Sequence, residues 1–297
     1  LALSERSEVE TRVVLDERSA GFLALGRARV SGTAVALVCT SGSAGAHYLP
    51  AFIEADASGI PLIALTADRP WELQQSGAPQ TMDQRELFGR FVRADRDIPA
   101  PEGPVKTQAY QHAARRIHMA ATGVRPGPVH LNMAFREPLW HPAIEMEPRT
   151  HTRTRPGLSS VPQITEESWP QIEQIISTAR RGIVVCGPMS GLRSGFGQAV
   201  IAMAETLQWP LLAETGSGAR HCGRAETRIE SYDALLRSQF ADEVAPDCII
   251  RFGQACLSKS LTTWMTKHSG QATVINVGHG QVCDESGAST LLVETVP

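Results

Sequence analysis

Residues 34–66 read AVALVCTSGSAGAHYLPAFIEADASGIPLIALT, and this stretch contains a strand, a turn, a helix and a second strand. Ala34 to Cys39 is a near-continuous apolar run, as expected of a strand that is covered on both faces of a parallel sheet. The small residues Thr40 to Gly45 lead into a helix through Ala57, and Pro61 to Thr66 is the next apolar run. This order predicts a βαβ unit.

The same alternation extends along the chain in both directions. We predict further strands at Val13–Leu15, at 128–133 and 182–186, and near Leu211, Ile249 and Val274. We predict helices over 17–30, 105–121 and 167–179, another that ends at Leu207, and one that begins near Lys259. The predicted fold class is therefore α/β, with two doubly wound domains and mainly parallel sheets.

The chain has 297 residues and a mass of 32.1 kDa, more than one hydrophobic core usually supports, so we expect two domains. Between residues 135 and 164, five prolines fall among polar residues without an apolar period. Such a segment is typical of a linker. We predict domains over residues 1–140 and 165–297, joined by a linker over residues 141–164.

Charge and cysteine content exclude several classes of protein. Lys and Arg number 28 against 31 Asp and Glu, and this balance argues against nucleic acid as a partner. No apolar run reaches the length of about 18 residues that a membrane span needs, and no signal peptide is recognisable. The six cysteines form no Cys-x-x-Cys pair, so we expect reduced thiols, no metal ligands and a cytoplasmic location.

Three polar segments follow predicted strands, and ligand sites gather at this edge of a parallel sheet. They are Asp16-Glu17-Arg18, the turn Thr40–Gly45 and the segment Thr66–Pro70. Acidic residues at a helix start also serve as caps, so Asp16-Glu17-Arg18 has a structural alternative. Arg69 is suited to binding a carboxylate.

Two glycine-rich turns lack the spacing of a nucleotide-binding motif. The turn Thr40–Gly45 matches neither G-x-G-x-x-G nor a P-loop. Gly187, Gly191, Gly195 and Gly197 follow the strand at 182–186 without the G-x-G-x-x-G spacing. We therefore favour a simple strand-to-helix turn there over a phosphate site.

Several motifs together resemble a known family. DERSAGFLALG, ALVCTSGSAGAHYLPAFIEA, PLIALTADRPWEL and GAPQTMDQ resemble the pyrimidine-binding domain of thiamine-diphosphate enzymes. More narrowly, they are similar to the 2-succinyl-5-enolpyruvyl-6-hydroxy-3-cyclohexene-1-carboxylate synthases of menaquinone biosynthesis. GIVVCGPMSG, LQWPLLAETGSG and residues 247–264 resemble the central domain of the same enzymes. TADRP with GxxQ is the more specific signal, whereas the Glu and TSG elements are shared with acetolactate synthase and its relatives.

The resemblance implies a role for six residues. Glu17 would be the catalytic residue, which hydrogen-bonds N1′ of the aminopyrimidine of thiamine diphosphate. Ser41 and Gly42 would lie against the pyrimidine ring. Arg69, Gln80 and Lys259 would line the substrate pocket.

The resemblance also implies a reaction and its partners. 2-Oxoglutarate would be decarboxylated, and the succinic-semialdehyde carbanion would add to isochorismate, which makes the enzyme a transferase of the carboligase type. Both substrates are anions, which suits a pocket with Arg and Lys. In this family the site lies between two subunits, so a homodimer or homotetramer is expected.

The sequence departs from the family pattern in two large and two small ways. We expect the N-terminal Pro-Gly-Ser-Arg segment and the diphosphate-binding domain to be missing, since the chain contains no Gly-Asp-Gly motif. The Mg²⁺ or Mn²⁺ site would lie in that missing domain, so we predict that this chain alone is inactive. Pro79 before Gln80 and Ser260 after Lys259 are the smaller departures. The synthase function has two alternatives. The chain could be a non-catalytic or split-enzyme module, or part of another carboligase such as an acetolactate-synthase relative.

Overall fold

The computed structural model describes residues 9–103, 107–139, 168–189, 195–278 and 289–295, and the single residues 164, 166, 284 and 287. The chain divides into two units, Leu1–Ser159 and Ser160–Pro297. Apart from Ile164, the predicted linker over residues 141–164 lies outside the described residues. The domain limits at 140 and 165 therefore stay predictions.

The first unit is built on a four-stranded sheet of β1 (Val35–Cys39), β2 (Leu62–Asp68), β3 (Asp95–Ile98) and β4 (Val129–Ala134). The strand order is β1-β2-β4-β3, and every pair is parallel. Leu65 of β2 lies opposite Val38 of β1 and Leu131 of β4, and His130 lies opposite Asp95 of β3. The elements in chain order are α1 (Glu17–Ser31), β1 (Val35–Cys39), a 3₁₀ segment (Gly42–Tyr48), α2 (Leu49–Ser58), β2 (Leu62–Asp68), 3₁₀ turns at Trp71–Leu73 and Gly89–Phe91, β3 (Asp95–Ile98), α3 (Thr107–Thr122) and β4 (Val129–Ala134).

Helix α1 has clear signals at both ends. The side chain of Asp16 accepts a hydrogen bond from the backbone N–H of Ser19 at 2.7 Å, which caps the first turn. Gly32 ends the helix in the left-handed conformation, and its N–H donates to the carbonyl oxygen of Ala28. The helix buries a stripe of small residues and a leucine: Gly21, Ala24, Leu25 and Ala28.

Helices pack on both faces of the sheet of the first unit, but the edge strand β1 is covered on one face only. Val38 is 58% exposed, so the expectation that Ala34–Cys39 is covered on both faces is wrong. One core contains α1, α2 and the aromatic rings of Tyr48, Phe52 and Phe88, and the last two rings stack at 4.3 Å. The other core lies between α3 and β4, where Ile117 and Ala121 pack with Val129.

The second unit is built on a five-stranded parallel sheet of β5 (Gly182–Cys186), β6 (Leu211–Ala213), β7 (Cys248–Phe252), β8 (Thr273–Gly278) and β9 (Leu291–Glu294), in the order β6-β5-β7-β8-β9. Two apolar cores contain the side chains of its strands. Helix α5 (Phe196–Leu207) packs in one core and α8 (Lys259–His268) in the other. The elements in chain order are α4 (Trp169–Thr178), β5 (Gly182–Cys186), α5 (Phe196–Leu207), β6 (Leu211–Ala213), a 3₁₀ turn (Thr215–Ser217), α6 (Tyr232–Leu235), α7 (Phe240–Glu243), β7 (Cys248–Phe252), α8 (Lys259–His268), β8 (Thr273–Gly278) and β9 (Leu291–Glu294).

The predicted α/β class with mainly parallel sheets is confirmed, and one predicted strand is wrong. Val13–Leu15 is not a strand: the triplet joins neither sheet, and Val13 and Leu15 are 90% and 97% exposed. Three apolar residues give no strand unless a neighbouring strand edge pairs with them. Two observed strands, β3 and β9, were not predicted. None of the described helices has the length and apolar character needed to cross a membrane.

Candidate functional site

The loop after β1 approaches the segment around Gln80 at close range. Gly42 has φ +83°, a conformation that favours glycine. A Cβ on Gly42 would lie 3.4 Å from both the Cα and the carbonyl oxygen of Gln80. Ser41 is only 2% exposed, and its hydroxyl has no hydrogen-bond partner among the described residues. The structure thus brings together the predicted residues Ser41, Gly42 and the backbone of Gln80.

Glu17 is the first residue of α1 and is half-buried. Its charge acts on two groups near the end of β1, the thiol of Cys39 and the phenol of Tyr48. Burial raises the pKa of Cys39 to about 11, and the negative charge of Glu17 adds to this effect. Burial and the same charge also raise the pKa of Tyr48. The Glu17 charge therefore acts on groups at the end of β1, the strand that leads into Ser41 and Gly42.

Arg69 and Gln80 lie on the segment that follows β2. The backbone N–H of Arg69 donates to the Asp68 carboxylate at 2.7 Å, and its carbonyl oxygen accepts from Gln74 at 3.1 Å. Among the described residues, no acidic side chain forms an ion pair with the Arg69 guanidinium, which leaves it available for an anion. Gln80 has φ +53° and an exposed side chain.

Lys259 lies in the second unit, as the first residue of α8. It lines a surface groove together with Arg237, Trp264 and Lys267. Lys267 pairs with Asp242 at 2.5 Å, whereas the described residues give Lys259 no ion-pair partner. Because Lys259 belongs to the other unit, its placement in one site with Arg69 stays a prediction.

A buried polar network, which the sequence analysis missed, lies next to the candidate site at the carboxyl ends of β2 and β4. Asn132 is the centre of this network and is fully buried. Its amide nitrogen donates to Asp68 and Asp97, each at 2.7 Å, and its oxygen accepts from Thr66 at 2.8 Å and from Gln84 at 2.9 Å.

The network extends from Thr66 to a buried histidine. The hydroxyl of Thr66 lies 2.8 Å from Nε2 of His130, and Nδ1 of His130 lies 2.7 Å from the carboxylate of Asp95. A signal for this cluster was present in the sequence, because His130 and Asn132 interrupt the apolar strand predicted at 128–133. Polar residues in a buried strand need hydrogen-bond partners, but the strand alone does not identify them.

The turn after β5 is packed against the turn after β7. A Cβ on Gly187 would lie 2.1 Å from the carbonyl oxygen of Gln254, and the N–H of Gln254 donates to the carbonyl oxygen of Pro188 at 2.8 Å. The N–H of Gly187 donates to the carbonyl oxygen of Phe252 at 2.8 Å. Gly187 is therefore explained by close approach of two backbones, in agreement with the simple turn that we favoured. Residues 190–194, including Gly191, lie outside the described part of the chain.

Within the described ranges, no three His, Cys, Asp or Glu side chains form a group that could hold a metal ion. Five cysteines in those ranges form no disulfide: Cys39, Cys186, Cys222, Cys248 and Cys256. Cys283 lies outside them.

Comparison with protein families identifies the class to which these two units belong. Residues 1–87 match the family described as "Thiamine pyrophosphate enzyme, N-terminal TPP binding domain". Residues 151–285 match the family described as "Middle domain of thiamine pyrophosphate". The chain belongs to the thiamine pyrophosphate enzyme family.

Its curated relatives include synthases of one kind. The chain is 40% identical over 275 residues to the 2-succinyl-5-enolpyruvyl-6-hydroxy-3-cyclohexene-1-carboxylate synthase of Geobacillus thermodenitrificans. The aligned region covers 90% of this chain and 46% of the relative. The synthase of the same name from Bacillus pumilus is 36% identical over 301 residues, 99% of this chain and 51% of the relative. The chain thus spans about half the length of these relatives, and the resemblance stated from the sequence is confirmed.

Proposed function

We propose that this chain supplies the pyrimidine-binding and central domains of a thiamine-diphosphate-dependent synthase. The reaction would release CO₂ from 2-oxoglutarate and join the remaining four-carbon unit to isochorismate. Support comes from the relatives named above and from the interaction of the Glu17 charge with Cys39, two residues before Ser41. Of these, the interaction of Glu17 with the end of β1 carries the proposal.

The residues of the first unit fit the aminopyrimidine ring of the cofactor. The Ser41 hydroxyl is buried without a partner, as expected of a group that awaits a polar ligand. Gly42 presents backbone without a side chain, so a flat ring can approach closely. Glu17 at the start of α1 supplies the carboxylate that would bind the protonated ring nitrogen N1′.

The protein's part in the chemistry is to orient groups and hold a proton. Thiamine diphosphate, when bound, supplies the nucleophilic carbon and the electron sink for decarboxylation. Glu17 would keep a proton at N1′, and the backbone at Ser41 and Gly42 would fix the plane of the ring. We assign the binding of the anionic substrates to Arg69, Gln80 and Lys259, since guanidinium and ammonium groups pair with carboxylates.

The remaining parts of the proposal concern the whole protein. The diphosphate and a Mg²⁺ or Mn²⁺ ion would be bound by a domain other than these two, and the assembly would be a homodimer or homotetramer. Hard divalent cations prefer clustered oxygen ligands, which fits a site built from acidic residues elsewhere.

The experiment is Glu17→Gln in the protein as its gene encodes it in full. The amide keeps the size of the side chain and removes the carboxylate, so we expect kcat to fall at least about a hundredfold. The measurement is isochorismate-dependent consumption of 2-oxoglutarate with added thiamine diphosphate and Mg²⁺. Glu10→Gln is the matched control, because Glu10 lies in the same unit in an exposed ion pair with Arg27.

Three outcomes would contradict the proposal in different ways. Full activity of Glu17→Gln would remove the assigned role of the carboxylate. Consumption of pyruvate without consumption of 2-oxoglutarate would select an acetolactate-type carboligase. Binding of either substrate without any thiamine requirement would select a non-catalytic module.

A further inference from the structure

We propose that Gln84 is a positioning residue, which holds the loop of Ser41 and Gly42 in the conformation that receives the cofactor ring. This inference rests on the proposed function. Gln84 lies between β2 and β3 and is 1% exposed. Its side-chain amide connects three other segments: the loop after β1, the end of β2 and the middle of β4.

Both ends of the Gln84 amide are bonded, and the bonds determine its orientation. The oxygen Oε1 accepts from the backbone N–H of Gly42 at 2.6 Å. The nitrogen Nε2 donates to the carbonyl oxygen of Ala67 and to Oδ1 of Asn132, each at 2.9 Å. In the reverse orientation the amide nitrogen would face the Gly42 N–H, a donor against a donor, and the amide oxygen would face two acceptors, the carbonyl oxygen of Ala67 and Oδ1 of Asn132. An amide is therefore the group that fits this position.

The far partners of the network are also held in place. Oδ1 of Asn132 faces Gln84 because the nitrogen of the same amide donates to Asp68 and Asp97. The position of the Gly42 N–H is thus linked, through Gln84 and Asn132, to strands of the sheet. A buried network of this kind is rigid when every member is bonded.

The bond at Gly42 bears directly on the candidate site. Gly42 has a left-handed backbone and lies against the Gln80 backbone, and the buried hydroxyl of Ser41 precedes it. Ordering this loop before the ligand arrives removes part of the entropic cost of binding. Loss of the Gln84 bond is expected to weaken cofactor binding through the loop, because the Gln84 amide is buried and bonded to protein groups.

Two substitutions and one control test the role of Gln84 in the protein as its gene encodes it in full. Gln84→Glu keeps the shape but places a carboxylate oxygen against the acceptors at Ala67 and Asn132. Gln84→Met keeps the volume and removes every hydrogen bond. Gln111→Glu makes the same charge change on the exposed face of α3 and is the control. The readouts are the Kd for thiamine diphosphate with Mg²⁺, and hydrogen exchange of the peptide that contains Gly42.

At about pH 8 we expect Gln84→Glu to raise the Kd at least about tenfold and to speed hydrogen exchange at Gly42. The buried carboxylate cannot donate the hydrogen bonds that the Gln84 nitrogen gives to Ala67 and Asn132. Protonation of the introduced carboxyl supplies one O–H donor, so lowering the pH to about 5.5 should restore part of the affinity. Gln84→Met should weaken binding at both pH values without restoration. Gln111→Glu should match the wild type.

The pH comparison must account for the other ionisable groups near Gln84. They are Asp68 on β2, Asp95 and Asp97 on β3, and His130 on β4. The two chain neighbours of Gln84, Asp83 and Arg85, form an ion pair with each other. Each of them is also present in the wild type and in Gln84→Met. A pH-dependent change of affinity that Gln84→Glu shows and the other two proteins do not is therefore due to the introduced carboxyl.

The outcomes separate this inference from the proposed function. If the wild type binds thiamine diphosphate and Gln84→Glu binds it equally well, the positioning role is wrong and the proposed function stands. If both substitutions lose affinity in parallel with their melting temperatures and without pH restoration, Gln84 is only structural and the inference is overturned. If the wild type itself does not bind thiamine diphosphate, the proposed function fails and the inference fails with it.

Discussion

At the scale of single residues, Cys39 is a reporter for the charge on Glu17. The Cys39 thiol is half-buried at the end of β1, and burial raises its pKa to about 11, with a further contribution from Glu17. At pH 8 only about one Cys39 thiol in a thousand is ionised, so its alkylation should be slow. The reactivity of Cys39 therefore depends on a neighbour that we assign to the catalytic site.

We predict that Glu17→Gln speeds the alkylation of Cys39. Removing the negative charge lowers the pKa of the thiol toward its ordinary value, so more thiolate is present at a given pH. The measurement is the rate of iodoacetamide labelling at Cys39, resolved by peptide mass spectrometry between about pH 8 and 10. Glu10→Gln should leave the rate unchanged. Equal rates in Glu17→Gln and the wild type would mean that the Glu17 carboxylate does not act on the end of β1.

At the scale of elements, α1 matters because its start carries Glu17. Asp16 caps this start, and its hydrogen bonds with Ser19 lower the pKa of its carboxyl below the ordinary value of 3.8. A group with a lowered folded pKa stabilises the fold above its unfolded pKa and loses that contribution as the pH falls through the folded pKa. The capping alternative that we considered for Asp16-Glu17-Arg18 thus applies to Asp16, whose side chain makes the cap hydrogen bond. Glu17 makes no cap hydrogen bond, but as an acidic residue in the first turn it also interacts favourably with the helix dipole.

We predict that Asp16→Ala lowers the melting temperature at about pH 7 and that this difference shrinks at about pH 3, where the wild-type carboxylate is partly protonated. Asp16→Asn keeps a neutral acceptor, so its melting temperature should stay close to that of the wild type at the higher pH. Thermal unfolding followed by circular dichroism measures both. A difference between Asp16→Ala and the wild type that stayed constant with pH would show that ionisation of the Asp16 carboxyl adds nothing to the stability that the cap provides.

The elements were predictable where local sequence and long-range packing agree. The strand Gly182–Cys186 was predicted with its observed limits, because five apolar residues follow a helix and precede a glycine. Strand β3 was missed because DRDI has three charged residues in four, and it joins the sheet only as an edge strand beside β4. Val13–Leu15 was overpredicted for the opposite reason, since its apolar sequence has no strand edge beside it.

At the scale of the whole molecule, each unit has its own sheet and its own cores. Gly182 allows a test of how far stability is shared between them. A Cβ at this position would lie 2.0 Å from the ring of Trp209, which is buried in a core of the second unit. Such overpacking costs about 1–3 kcal/mol because neither the strand nor the indole can move freely.

We predict that Gly182→Ala speeds hydrogen exchange in β5, β6, β7 and β8 and leaves the amides of β1, β2 and β4 unchanged. Local stability follows the cooperative unit in which the strain lies. Peptide-resolved hydrogen exchange measures this directly. Gly270→Ala is the control, because a Cβ there meets no atom within 4 Å. Faster exchange in both units would mean that they unfold together.

The sequence alone determined the α/β alternation, the positions of most strands and helices, and the motifs that relate the chain to thiamine-diphosphate enzymes. These follow from apolar period and from short runs of residues, which are local properties. Ser41, Gly42 and Gln80 could be proposed from those motifs, but their close approach could not be derived from them.

Tertiary structure decided which distant residues meet. Gln84 reaches Gly42, and Asn132 reaches Asp68 and Asp97, because the parallel register of the four strands β1 to β4 brings their carboxyl ends to one edge of the sheet. Residue spacing along the chain contains no information about that register. The support of the site by Gln84 became visible only when hydrogen bonds between segments far apart in sequence could be followed.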